Sequence, residues 1–168
     1  MSATELGMNL MIDLTIPDTI SAMFGQPCCR KRVGRHRSLS LGFGEKVFHT
    51  KPMKDPFYGE WEIGTYSAPW RVIQDNLLVC GSLEDVESID ELDAQIQIIE
   101  FGNISSVEMI SCFDLRVILE NNTYVEFLQV ATGEDELVHI FGPNSLYCEY
   151  AINAGWKIGR SDVPWTQD

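Results

Sequence analysis

Apolar residues recur along this chain in two rhythms, and the switches between them lay out its elements. Around Pro17 to Gly25, the residues Ile16, Ile20, Met23 and Phe24 fall at helical spacing and meet a glycine stop, which predicts a short amphipathic helix. The same spacing returns at Ile89, Leu92, Ile96 and Ile99, behind a capping box formed by Ser88 and Glu91 and before Gly102. After each glycine the rhythm changes to alternation. Pro27 to Val33 followed by Arg37 to Phe43 reads as one hairpin, and Ile104 to Ser111 followed by Phe113 to Leu119 reads as another. Asn121 and Asn122 supply a tight turn into Tyr124 to Phe127, because asparagine tolerates the positive φ that such turns require. The fold class expected is α+β, mostly antiparallel β with two short helices.

A repeat runs through this pattern. Trp61-Glu-Ile63-Gly64 is followed by Pro69-Trp70, and Trp156-Lys-Ile158-Gly159 by Pro164-Trp165 at the same spacing, so all four tryptophans lie in two copies. The order helix, hairpin, further strands precedes each copy. The expectation is an internal duplication giving a pseudo-twofold single domain over residues 1–168, with repeat 1 at about 17–70, a connection at 71–87 and repeat 2 at about 88–165. Halves of this size are marginal alone, which favours one shared core. Tryptophans repeated in register read first as core residues and second as binding hot spots.

The chain has 168 residues, 45% of them hydrophobic and 22% charged, which are ordinary globular values. No apolar run reaches the roughly 18 residues of a membrane-spanning helix, and Met1 to Leu10 lacks the basic start and apolar run of a signal peptide. A soluble, cytoplasmic protein is expected. Charge changes the picture more. The net charge is −13; residues 1–37 hold five basic and three acidic residues, and the remainder holds seven basic and twenty-two acidic ones. An acidic body of this kind repels nucleic acid and anionic membranes and draws in a basic partner, although the charge also serves solubility.

Candidate chemistry is sparse. The five cysteines, Cys28, Cys29, Cys80, Cys112 and Cys148, form no CxxC pair and sit in apolar surroundings, which fits buried reduced thiols. His36, His49 and His139 have no second histidine or carboxylate at metal-ligand spacing, and His139, within Leu137 to Ile140, reads as a strand or core position. No nucleophile elbow, zinc motif or phosphate loop occurs, so no catalytic residue, metal or cofactor is assigned and an enzyme is not expected. Arg30, Lys31, Arg32, Arg35 and Arg37 concentrate five of twelve basic residues in one hairpin, whose expected use is pairing with the acidic segment Glu84, Asp85, Glu87, Asp90, Glu91 and Asp93, in this chain or in a second subunit. Six carboxylates lie in ten residues at Glu84, Asp85, Glu87, Asp90, Glu91 and Asp93, and Glu134, Asp135 and Glu136 form a second acidic loop. Those of the helix's first turn also favour its dipole. A groove between the repeats, lined by Trp61, Trp70, Arg71 and Asp114, is the candidate site for a small ligand.

Ser38-Leu-Ser-Leu-Gly-Phe-Gly44, Gly59-Glu-Trp-Glu-Ile-Gly-Thr-Tyr-Ser67 with Trp70-Arg71, and Phe113-Asp-Leu-Arg-Val117 through Asn122-Thr-Tyr-Val-Glu-Phe127 resemble a group of small uncharacterised bacterial proteins. The resemblance covers most of residues 17–130. Such acidic, β-rich proteins are similar in kind to the immunity proteins of bacterial toxin systems, which bind and neutralise a toxin. The resemblance implies a bacterial cytoplasmic setting. The functional expectation is therefore a non-catalytic antidote that docks on a basic partner, such as a toxin domain, through Glu84, Asp85, Glu87, Asp90, Asp93, Glu134, Asp135 and Glu136. Alternatives are an oligomeric structural module, and a small-ligand binder or enzyme using the groove.

Overall fold

The structure, a computed structural model, describes residues 14–67, 69–133 and 135–163. The first expected helix is a 3₁₀ turn, Asp18–Met23, whose buried residues are Ile20 and Met23. Its six residues are too few to offset α-helix nucleation, and the Phe24 amide closes on the Ser21 carbonyl at 3.1 Å. Five strands follow: β1 (Cys28–Val33), β2 (Leu39–Phe48), β3 (Phe57–Gly64), β4 (Trp70–Gln74) and β5 (Leu77–Gly81). The helix α1 (Ile89–Gln97) separates them from β6 (Ile104–Met109), β7 (Asp114–Leu119), β8 (Thr123–Leu128), β9 (Val138–Gly142), β10 (Leu146–Ala151) and β11 (Gly155–Arg160). Tight turns carry much of the connectivity. Asp75 and Asn76 between β4 and β5, and Asn121 and Asn122 before β8, all take positive φ.

All strand pairs are antiparallel and form two sheets, in the orders β1-β2-β3-β9-β10-β11 and β5-β4-β8-β7-β6. The chain builds β1 to β3 into the first sheet and then sends β4 and β5 to the second. After α1 it builds β6 to β8 into the second sheet and sends β9 to β11 back to the first. Residues 71–87, expected as a connection, thus hold most of β4 and all of β5. The two tryptophan copies do not occupy matching places. Trp61 lies in β3, inside the six-stranded sheet, and Trp156 in β11 at its edge; Pro164 and Trp165 lie outside the described residues.

Both sheets turn one face to a single core. Leu41, Phe43, Ile63, Ile140 and Tyr150 come from the first, and Val72, Leu115, Val117, Val125 and Phe127 from the second. Each such side chain contributes roughly 1.5–3 kcal/mol on burial. Packing between the sheets, rather than the propensity of a nine-residue helix, therefore carries the fold. Gly142 is required by this packing, since a Cβ there would stand 2.6 Å from Trp61 Cζ3.

Helix α1 is held against β1 by polar contacts from its middle and its C-terminal end. Ser88 caps it, its Oγ accepting the Glu91 amide at 3.2 Å. Asp93, only 6% exposed, accepts the Val33 amide at 2.8 Å with one oxygen and pairs with Arg32 through the other. Beyond the last turn Lys31 Nζ donates to the carbonyls of Gln97 and Ile99, and Gln97 Nε2 donates back to the Lys31 carbonyl at 2.6 Å. Asp93→Ala strips the partner from a buried edge amide and from a partly exposed guanidinium. It is expected to cost about 2–3 kcal/mol in urea unfolding, against about 1 kcal/mol for Ser88→Ala. Equal losses in the two variants would show that the Asp93 contact does not fasten the helix.

Candidate functional site

The segment between β5 and α1 carries carboxylates that the fold leaves free. Arg37, in the turn after β1, donates to the carbonyls of Ser82 and Glu84 at 2.8 and 2.9 Å, while its own carbonyl accepts the Trp70 indole N–H at 2.7 Å. The basic hairpin thus fastens the acidic segment through its backbone and leaves the side chains unneutralised. Among the described residues, Glu84, Asp85 and Glu87 make no ion pair. Glu91 is turned back to accept the Glu87 amide at 2.9 Å. Asp90 is exposed and meets Lys54 at 2.9 Å, a contact that holds its carboxyl below the usual range. Asp93, expected at the docking face, is instead the buried clamp on β1.

Two sets of expected site residues meet beside β5. Trp70, Arg71, Leu78, Leu83, Glu84 and Asp85 line one hollow of about 320 Å³. A smaller hollow of about 120 Å³ shares Pro69 and Leu128 with it and is lined by Asp135 and Glu136. Leu78 and Leu83 are 65% and 82% exposed, so apolar surface and free carboxylates adjoin. Of the four residues expected to line a groove between the repeats, Trp70 and Arg71 line the larger hollow and Trp61 and Asp114 do not. Trp61 packs in the core, and Asp114 is occupied, its Oδ1 accepting the Gln129 amide at 3.1 Å. Glu134 lies outside the described residues.

Elsewhere the charges neutralise one another. A row crosses the second sheet in which Arg71 and Arg116 flank Glu126 at 2.7 Å each, and Glu108 lies beyond Arg116 at 3.2 Å. These residues are direct cross-strand neighbours. Burial pushes the Glu126 carboxyl up, but the bonds from Arg116 and Arg71 outweigh it and hold it below the usual range. On the first sheet Arg30 binds Asp55, Glu62 and Ser40, and Arg32 binds Asp55 and Asp93. Two of the five basic residues of the hairpin, Arg30 and Arg32, are thus neutralised by carboxylates inside the chain, while Lys31 and Arg37 bind backbone carbonyls. The hydrogen bond from Arg32 holds Asp55 low, whereas burial pushes Glu62 up despite Arg30.

Sequence reasoning missed a cluster on the outer face of β9 and β10. His139 stacks between Tyr66 at 4.5 Å and Phe141 at 5.4 Å, and Phe141 meets Tyr147 at 5.0 Å. His139 Nδ1 stands 3.9 Å from Glu136 Oε1, too far for a hydrogen bond, and both atoms are buried without one. Its place in an apolar run signals a strand position but not these partners. The cysteines are all free, and burial pushes the Cys28 and Cys80 thiols up to about 11, which suppresses the reactive thiolate. Among the described residues, no group of three or more His, Cys, Asp or Glu residues could hold a metal ion, and no helix is long and apolar enough to cross a membrane. The chain matches no protein-family model, no curated protein and no solved structure.

Burial lowers the His139 pKa from 6.5 to about 4, so the folded state holds a neutral imidazole where the unfolded chain binds a proton. This contribution is fully present above pH 6.5 and is lost as pH falls toward about 4. In urea melts at pH 7, 5.5 and 4.5, His139→Phe is expected to flatten the acid loss while keeping the stack. A variant with the wild-type pH slope would place the acid sensitivity elsewhere.

Proposed function

We propose that this protein is a non-catalytic, cytoplasmic binding protein of the immunity-type antidote kind, docking on a basic partner such as a bacterial toxin domain. One observation carries the reading: Glu84, Asp85 and Glu87 have no ion partner among the described residues, and Glu84 and Asp85 line one hollow with exposed Leu78 and Leu83. Apolar surface supplies affinity once water is expelled, and unneutralised carboxylates supply steering and selectivity for a cationic face. Asp135, beside the adjoining hollow, extends the same acidic surface. Asp90 stands at the rim through Lys54, and Asp93 acts on the surface only by orienting α1.

A pseudo-twofold duplication belongs to this reading, in a register other than that of the tryptophans. It pairs β1 to β3 with β6 to β8 and the hairpin β4–β5 with β9–β10. Three features support it. Each half runs helix, three strands in its own sheet, then strands in the other. Phe24-Gly25-Gln26 and Phe101-Gly102-Asn103 both follow the helical element, with positive φ at each glycine. The two segments also run antiparallel against one another, Gly25 and Cys28 donating to the carbonyls of Ile104 and Gly102 at 2.7 and 2.9 Å.

The test is capture on the tagged protein from lysate of its own organism at low salt, beside the variant Glu84→Gln, Asp85→Asn, Glu87→Gln. The expected result is one basic protein, released by a salt step, that associates roughly tenfold more slowly with the variant at low salt. Equal association with both proteins, or recovery of only the chain itself, would overturn the assignment.

A further inference from the structure

Resting on that binding reading, we propose that the open edge of β5 receives an extended segment of the basic partner as an added antiparallel strand. Among the described residues the two sheets have four edge strands, β1, β11, β5 and β6. Three of them carry charges that discourage further pairing: Arg30, Lys31 and Arg32 on β1, Lys157 and Arg160 on β11, and Glu108 on β6. β5 reads Leu77-Leu-Val-Cys-Gly81 and carries none. Leu77 and Leu78 are 66% and 65% exposed, and Val79 is exposed as well. An uncharged apolar strand edge of this kind is a template for one more strand.

The second half of the chain indicates what such a strand resembles. There the hairpin β9–β10, which stands where β4–β5 stands in the first half, is covered by β11 across six residue pairs from Leu146↔Arg160 to Ala151↔Gly155. The covering strand is basic, and Lys157 lies opposite Glu149. In the first half no strand among the described residues takes the equivalent place beside β5. Charge selects its occupant: β5 has Asp75 in the turn before it and Glu84 and Asp85 after it. Antiparallel pairing of β5 with a second copy would bring Asp75 of one chain toward Glu84 of the other, which opposes self-association. A segment that combines apolar and basic residues, as β11 does, meets the apolar edge and its acidic ends favourably. It would lie along the hollow lined by Leu78, Leu83, Glu84 and Asp85.

The probe is a labelled peptide reproducing residues 154–161 of this chain, the strand that covers the equivalent edge. It is titrated onto the full protein, with amide exchange followed at saturation. The expected result is saturable binding, slowing of exchange by about tenfold at Leu77 to Gly81 with the β1, β6 and β11 edges unchanged, and about tenfold weaker binding of the peptide carrying Ile158→Pro, which cannot complete a ladder. Three results would overturn the proposal: no saturation up to about 1 mM peptide, protection at another edge, or equal binding of the proline peptide. Protection of Leu77 to Gly81 in the free protein, where it sediments as a dimer, would assign the edge to a second copy and overturn it too. Failure here with capture of a basic protein intact removes the strand mode alone; failure of the capture removes the partner.

Discussion

The carboxylate of Asp93 is the contact on which the disposition of this molecule depends. It satisfies an amide of an edge strand and a neighbouring guanidinium at once, and so fixes α1 along β1. Where α1 begins, the acidic segment ends, and Arg37 fastens the other end of that segment through carbonyls. Two anchors therefore hold a chain of carboxylates on the surface without neutralising them. An acidic protein has ample material for this, but only a few positions are spared an internal partner.

Carboxylates in this chain divide into two kinds. Asp55, Glu62, Asp93 and Glu126 are buried or nearly so and are matched to Arg30, Arg32, Arg71 and Arg116. Buried pairs of this sort add little net stability, because desolvation offsets much of their attraction, yet removing one partner alone is costly. They also spend the arginines that would otherwise make a cationic patch. Glu84, Asp85 and Glu87 belong to the second kind, exposed or half-buried and unmatched, and the first two lie beside the exposed Leu78 and Leu83. Unmatched carboxylates and uncovered apolar side chains thus meet beside β5.

Much of the fold was legible because local chemistry and global packing agree. The alternation of Leu39 to Phe43 and Leu115 to Leu119, the capping box at Ser88 and the Asn121–Asn122 turn all specify what forms. The hairpin β4–β5 was missed although Asp75 and Asn76 lie between two apolar runs, the same turn signal that marked β7–β8. The tryptophan spacing pointed to a register that the topology does not share, since an indole suits an interior strand and a partly covered edge alike. Of the site, Glu84, Asp85 and Glu87 were visible as an acidic run beside the cap. That Asp93 turns inward was not, because helix periodicity says which face a residue occupies but not that a strand amide waits there. Nor could spacing bring Trp70 and Arg71 to Glu84 and Asp85, a meeting that two sheets sharing one core create.

The division between spent and spare carboxylates is tested most directly by urea unfolding at pH 7 of two variants, Glu126→Gln and the combined Glu84→Gln, Asp85→Asn, Glu87→Gln. The account predicts that Glu126→Gln loses about 2 kcal/mol, having left two arginines facing a neutral amide, while the triple variant stays within about 0.5 kcal/mol of the parent or gains stability as repulsion falls. A triple variant as destabilised as Glu126→Gln would mean that those three carboxylates serve the fold, and the docking surface would have to be sought elsewhere.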